Sequence, residues 1–499
     1  MTVDREAAGP AGAEAEHLER GRLGLVDVVS QSVGFMGPVF TVALVLTLVV
    51  GAGAAGQGAG AATPIAIILA WIGMTAIGWV IAKYATRIHA AGSLYDYVTA
   101  GLGQQVGAVA GYLYYGAIAA LGSAATIAVG GITSDFLRSA YGIGIPYWVI
   151  DVMVIVLLAV VLTLGVALST RAQLALAGIS FVIVLVFLLS VIVRGGQHGN
   201  SVAPFNPASS VDGWAGIIFG TIYGILSFAG FESAANLAEE TREPQRSIPR
   251  AIFLSLFIVG GFYVVCSYAQ DIGFGLDGGA WAGQATPLFA LGADGAFGND
   301  VLAQVLQIVV ILDILAVILG CSVAVTRGAF AMARDRRIPH ALSRTHARRG
   351  TPTSAIAALL VLYVVAVAVT RLGHGVLQLD GAPEYIPIFG WLAGLGGLSL
   401  AVVYGLVSLG ALRGLRGFEN PWLYVPASII GIVVAGGAVW GSMYKISGPS
   451  STWIWFVLAV VVLGGASVLW QTARGTFVRP ASMGEPRETP SVALSGDRA

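Results

Sequence analysis

The chain has 499 residues, of which 57% are hydrophobic and only 10% charged, with 26 basic side chains balanced by 26 acidic ones. An ordinary soluble protein carries about 25% charged residues, so water is not the main solvent of this chain. The neutral balance gives no reason to infer a nucleic-acid partner.

A membrane-spanning helix needs roughly 20 mostly apolar residues, because its backbone hydrogen bonds must all be made internally across about 30 Å of hydrocarbon. Residues 1–22 are polar, with Glu14, Glu16, Glu19 and Arg20, and read as a solvated cytoplasmic tail. No basic start with a short apolar stretch marks a cleavable signal before the first span. Apolar runs then predict spans over 26–50, 64–84, 104–131, 147–168, 172–193 and 215–238. Six more are predicted over 249–270, 301–326, 354–370, 385–412, 423–444 and 452–471. Residues 474–499, rich in Pro, Ser, Gly and Arg, read as a second solvated tail. The expected fold class is therefore an all-α membrane protein with twelve transmembrane helices.

Positive charge sets the orientation. With a cytoplasmic N-terminus, 22 of the 26 Lys and Arg residues fall inside, and only Arg138, Arg194, Arg371 and Lys445 fall outside. Both termini are thus expected in the cytoplasm. The 24 arginines against two lysines, with abundant Ala and Gly, suggest a GC-rich bacterial genome and the cell membrane as the location.

Enzyme signatures are absent or misleading. Neither lysine, Lys83 or Lys445, lies in a phosphate-binding loop, so no nucleotide hydrolysis, enzymatic activity or cofactor is expected. Gly51, Gly53 and Gly56 match G-x-G-x-x-G but follow a membrane helix without a βαβ context. The histidines, His17, His89, His198, His340, His346 and His374, form no metal-binding pattern. Cys266 and Cys321 fall within spans, where packing is the simplest role.

Chemistry is concentrated where helices are interrupted. Transporters built from inverted repeats bind substrate near the midplane, where a broken helix in each half exposes backbone groups. Span 1 contains Gly34-Phe35-Met36-Gly37-Pro38, and Pro38 has no N–H for a continuous helix. Span 6 contains Ser227-Phe228-Ala229-Gly230, half a protein later. Unwinding at the first break would leave N–H groups at a half-helix start, suited to a carboxylate. Unwinding at the second would leave carbonyls suited to an ammonium or a cation. The plain alternative is that these glycines and the proline only kink or pack their helices. Gly216, Gly220 and Gly224 form a small-residue stripe that would let spans 1 and 6 approach closely.

Two acids lie within spans, where a charge costs about 2.5–3.5 kcal/mol on insertion scales. Glu232 follows the second break and reads as a gating group, protonated or paired. Asp313 lies about 18 Å along span 8 by helix rise; it reads as a cation ligand, a proton site or a contact to a substrate amine, or else as a neutral acid bonded to a neighbouring helix. Phe35, Tyr112, Tyr115, Phe228 and Phe231 are aromatic candidates for the surrounding pocket. Ser322 and Thr326 would offer oxygens to a sodium ion, although such hydroxyls more often bond to their own helix. Trp453, Trp455 and Trp470 read as interfacial anchors, and the arginines of 334–337 as topology determinants meeting anionic lipid.

Three segments together resemble the amino acid–polyamine–organocation permeases. Phe228-Ala229-Gly230-Phe231-Glu232 with the stretch Glu239 to Arg250 is similar to that family's sixth-span motif. Thr326 to Pro339 resembles its signature after span 8, and Ala91-Gly92-Ser93-Leu94-Tyr95-Asp96-Tyr97 an element after span 2. The resemblance implies a leucine-transporter-like fold: a core of residues 23–412 with spans 1–5 and 6–10 as inverted repeats, peripheral spans 11 and 12 in 413–473, and alternating access. It implies that Gly34 to Pro38 face a substrate carboxylate and Ser227 to Gly230 an amine. Departures are Lys83 and His89 where a glutamate and a proline are usual, Leu226 where cationic-substrate antiporters carry tryptophan, and Ser180 where proton-linked members place a lysine. The coupling ion, proton or sodium, stays open. An amino acid is favoured over a polyamine because only the former would use the carboxylate site. A membrane sensor that kept the fold without transport is the alternative class, and neither the substrate within its class nor the oligomeric state can be read from the chain.

Overall fold

Long apolar segments with no polar partner in hydrocarbon must bond their own backbones, and the computed structural model shows this throughout. It describes residues 18, 20–52, 57–284, 286–346, 349–373, 383–445 and 451–474. Among them, twelve helices are long and apolar enough to cross a membrane: Leu25–Val45, Gly60–Ala85, Gln104–Tyr141, Tyr147–Leu164, Val166–Val193 and Gly213–Glu240, then Pro244–Gly273, Asp300–Arg334, Thr353–Leu372, Ile386–Gly414, Pro421–Met443 and Trp453–Ala473. No strand occurs among the described residues; one isolated bridge joins Leu23 to Thr241. The two tails lie almost wholly outside the described residues, as do Gly53 and Gly56.

The boundary between spans 4 and 5 falls at Gly165, in a left-handed conformation at φ 129°, a few residues earlier than the sequence suggests. The twelve helices differ sharply in how much they bury. In span 8, 78% of the most apolar stretch is buried, in spans 1 and 3 72%, and in span 6 61%; span 12 buries only 17% and span 11 28%. All twelve are apolar, so the difference in burial separates core helices from peripheral ones. Span 1 packs against spans 5, 7, 8 and the second half of span 6, and span 8 against spans 3 and 5. Span 10 lies against spans 3 and 11. The expected interfacial tryptophans Trp455 and Trp470 are exposed on span 12, whereas Trp453 packs against Gly394.

Candidate substrate and gating site

Span 1 stops at Met36 because Gly37 takes a left-handed conformation (φ 56°, ψ 64°) and Pro38 supplies no N–H. Helix resumes at Pro38, whose fixed φ suits a first helical position, and continues through a wide π-turn at Thr41–Val45. The break is narrower than the sequence suggests: Gly34, Phe35 and Met36 remain helical, and only Gly37 leaves the helix.

Span 6 ends its first half at Leu226, turns through Ser227 to Gly230, and resumes as a 3-10 helix over Phe231–Glu240. Gly230 makes the turn at φ 107°, which a side chain rarely adopts. The two breaks meet. Ser32 donates its hydroxyl to the Phe231 carbonyl at 2.7 Å and accepts from the Ala234 N–H at 3.2 Å. Ser233 donates to the Gln31 carbonyl at 3.2 Å. A Cβ on Gly230 would lie 2.7 Å from the ring of Phe35, and one on Gly320 of span 8 would lie 2.8 Å from Phe35 as well. Phe35 is thus clamped between spans 6 and 8.

Each half-helix that restarts at a break is met by a buried carboxylate. Asp313 Oδ2 accepts from the Val39 N–H at 3.0 Å and the Phe40 N–H at 2.8 Å. Glu232 Oε2 accepts from the Gly230 N–H at 3.2 Å and the Tyr404 hydroxyl at 2.9 Å, while Oε1 accepts from Tyr114 at 3.3 Å. Both acids are fully buried. The N–H groups expected to receive a substrate carboxylate at the first break are therefore held by the protein's own Asp313. At the second break the Ser227 carbonyl accepts from the Tyr263 hydroxyl at 3.0 Å, and Phe228 stacks edge-on against that ring with centroids 5.3 Å apart. Ala229 retains partial exposure, while Ser227, Phe228 and Gly230 are buried.

At the end of the bundle that carries the N-terminus, ion pairs bind span 6 to span 8. Arg327 pairs with Glu240 at 3.1 Å, 1% and 2% exposed, and Arg334 pairs with Glu239 at 2.8 Å. The Glu240 carbonyl also accepts the N–H groups of Arg22 and Leu23, tying the chain before span 1 to the same point. Tyr95, in the helix Leu94–Leu102, donates to Asp335 at 2.9 Å; burial, reinforced by Asp335 and Asp96, pushes its phenol well above the usual range.

Other expected residues fall elsewhere. Tyr115 donates to the Gly92 carbonyl at 2.8 Å and the Asn236 carboxamide at 3.0 Å, so it joins the end that carries the ion pairs rather than the breaks. Tyr112 points away, towards span 12: it packs against Gly464 and donates to the Arg337 carbonyl at 2.7 Å. Ser180 bridges to span 8 at the Val309 carbonyl, 2.7 Å, one turn before Asp313. Ser322 and Thr326 bond back to their own helix, and Ser322 also meets Tyr363 at 3.1 Å. The Gly216, Gly220, Gly224 stripe faces Gly58, Ala59 and span 2 at Ala66 and Ala70, rather than the break of span 1. Residues not singled out from the sequence include Gln31, Ser32, Gln173, Ser233, Tyr263 and Tyr404. Their signal was present: a glutamine within an apolar span is costly unless bonded, and Gln31 indeed donates to the Gly320 carbonyl at 2.9 Å and accepts from Gln173 at 3.1 Å.

A profile of the family described as amino acid permease matches residues 36–469. The branched-chain amino acid permease BcaP of Lactococcus lactis subsp. cremoris is 24% identical over 404 residues, covering 76% of this chain and 82% of its own. The methylthioribose transporter of Bacillus subtilis is 26% identical over 416 residues, covering 80% and 83%. The Bacillus subtilis BcaP is 27% identical over 289 residues, covering 54% and 59%. With twelve apolar helices interrupted where two spans meet, and with a family profile matching most of its length, the chain belongs to the amino acid permeases of the amino acid–polyamine–organocation superfamily.

Proposed function

We propose that the protein is a secondary active transporter of amino acids in the cytoplasmic membrane, working by alternating access, with both termini in the cytoplasm. The observation that carries the reading is the apposition of the two broken helices, locked by Ser32 to Phe231 and Ser233 to Gln31. Breaks of this kind expose backbone groups that a continuous helix would keep bonded to itself, so they can serve as polar ligands near the midplane. Substrate would bind along Gly34 to Pro38 and Ser227 to Gly230, beside Phe35 and Phe228. Glu232 would couple that site to the gating end, because its carboxylate gathers Gly230, Tyr404 and Tyr114.

A second reading has its own support. Asp313 occupies the Val39 and Phe40 amides, which favours an organic amine lacking a carboxylate, recognised through its positive charge. Proteoliposomes loaded in turn with leucine, isoleucine, valine, γ-aminobutyrate, putrescine and methylthioribose separate the readings by exchange against the labelled compound outside. Exchange of amino acids supports the first reading. Exchange of putrescine alone overturns it in favour of the second.

A further inference from the structure

We propose that Asp313 carries the coupling proton, and that its carboxylate and that of the transported amino acid take turns on the Val39 and Phe40 amides. This rests on the amino acid reading above and names its coupling ion and the residue that bears it.

The geometry begins at the break. After Gly37, the helical run of residues 38–50 starts with Pro38, which has no N–H, so Val39 and Phe40 present the first donors. Both donate to a single oxygen, Asp313 Oδ2. Its companion Oδ1 is buried and has no hydrogen-bond partner among the described residues. Asp151 and Asp271 also carry buried oxygens without a hydrogen-bond partner among the described residues, but only Asp313 sets its other oxygen on the first donors of a restarting helix. Here one oxygen holds the two amides and the other is left open.

Two carboxylates cannot share these two donors. When a substrate carboxylate arrives, Asp313 loses its bonds, and the described residues that face it offer no replacement cation. Span 1 faces it with the amides and with Gly37; span 5 brings Ser180, bonded one turn away at Val309; span 7 brings Tyr263, with Cys266 one turn further along. The segment Pro287–Ala293 that packs on the start of span 8 contains no charged residue, and span 10 contributes Phe389 against Phe40. Glu232, the other acid at the breaks, faces Tyr114 and Tyr404 instead. A displaced Asp313 anion would be buried and unpaired, a strongly unfavourable state. Taking up one proton removes the charge. The balance is simple: one proton from the loading side joins Asp313 as the zwitterion seats, and it leaves on the other side when the substrate departs and the carboxylate returns to the amides. Net movement is one proton with each amino acid.

The test compares wild type, Asp313→Asn and Asp313→Glu in proteoliposomes containing a trapped pH dye, with leucine as the probe. Counterflow of labelled leucine, which needs no ion gradient, is measured beside leucine-driven proton entry. The expected result is that wild type shows both, that Asp313→Asn, which imitates the protonated acid, shows counterflow at a reduced rate, no proton entry and an altered pH dependence of exchange, and that Asp313→Glu retains proton entry with a displaced pH profile. Proton entry persisting in Asp313→Asn overturns the proposal, and so does wild-type counterflow without proton entry. A folded Asp313→Asn with unchanged melting temperature but no counterflow overturns it too, since the acid would then hold the substrate's ammonium. If Asp313→Asn does not fold, Asp313→Glu decides: an unchanged pH profile counts against the proposal. Should wild type exchange leucine, valine or any other amino acid in no case, the transport reading itself fails, an outcome distinct from the others.

Discussion

The ring of Phe35 closes over Gly230, so that the left-handed turn of span 6 and the last helical turn of span 1 form one packed contact. A Cβ at Gly230 would come 2.7 Å from that ring while also being forced to φ 107°. We expect Gly230→Ala to lower stability by roughly 1–3 kcal/mol, from backbone strain and contact together. Combining it with Phe35→Ala should recover the contact part but not the strain. Melting temperatures of the four proteins in detergent check this; simple additivity would show that the ring and the glycine are independent.

Gly34 faces the side chain of Gln173, 2.9 Å from where a Cβ would lie. Gly34→Leu should therefore disturb the Gln173 to Gln31 to Gly320 chain of hydrogen bonds and abolish uptake while insertion continues. Membrane yield and leucine uptake, measured together, check it. Normal uptake would remove this position from the site.

The two ion pairs between spans 6 and 8 should respond differently. Arg327 and Glu240 are almost wholly buried, so Arg327→Met takes a charged partner from a buried carboxylate and should cost about 1.5–3 kcal/mol. The Arg334 and Glu239 side chains are 21% and 14% exposed and pair through both carboxylate oxygens, so Arg334→Met should cost less, about 1 kcal/mol, with a salt dependence the first lacks. Thermal unfolding at low and high salt separates them, and equal losses would contradict the burial argument.

Glu232 and Tyr404 are the clearest coupling between span 10 and the break. Tyr404→Phe and Glu232→Gln, taken singly and together, should show an interaction energy of about 0.5–3 kcal/mol. Glu232→Gln should also alter the pH dependence of exchange. An unchanged profile would remove it as a titrating gate.

How much of this was visible in the chain depends on the residue. Helix count and order follow from run length, because hydrocarbon leaves the backbone no other partner. The interruption at Gly37 and Pro38 is legible for the same reason: proline removes a donor and glycine admits the left-handed turn. Its width is not, since Gly34, Phe35 and Met36 keep their bonds to the preceding turn and nothing local forbids it. Tyr112 reads in the sequence as a pocket aromatic but faces span 12, because a uniformly apolar helix carries no amphipathic phase to orient its aromatics. Asp313 was legible as an anomaly, an acid mid-span. Its partner was not, because the amides it holds belong to a helix more than 270 residues away in sequence.

Orientation rests on charge alone, and single-cysteine labelling checks it. Cys266 and Cys321 are buried and should stay silent. A cysteine replacing Lys445 should react with an impermeant maleimide from outside intact cells, and one replacing Arg416 only after permeabilisation. The reverse pattern would invert the topology.

The most direct single measurement is counterflow of labelled leucine in proteoliposomes carrying wild type or Gly230→Leu. Exchange by wild type and none by the inserted, folded variant is the result expected if the apposed breaks are the substrate site. Equal exchange by both proteins would contradict it.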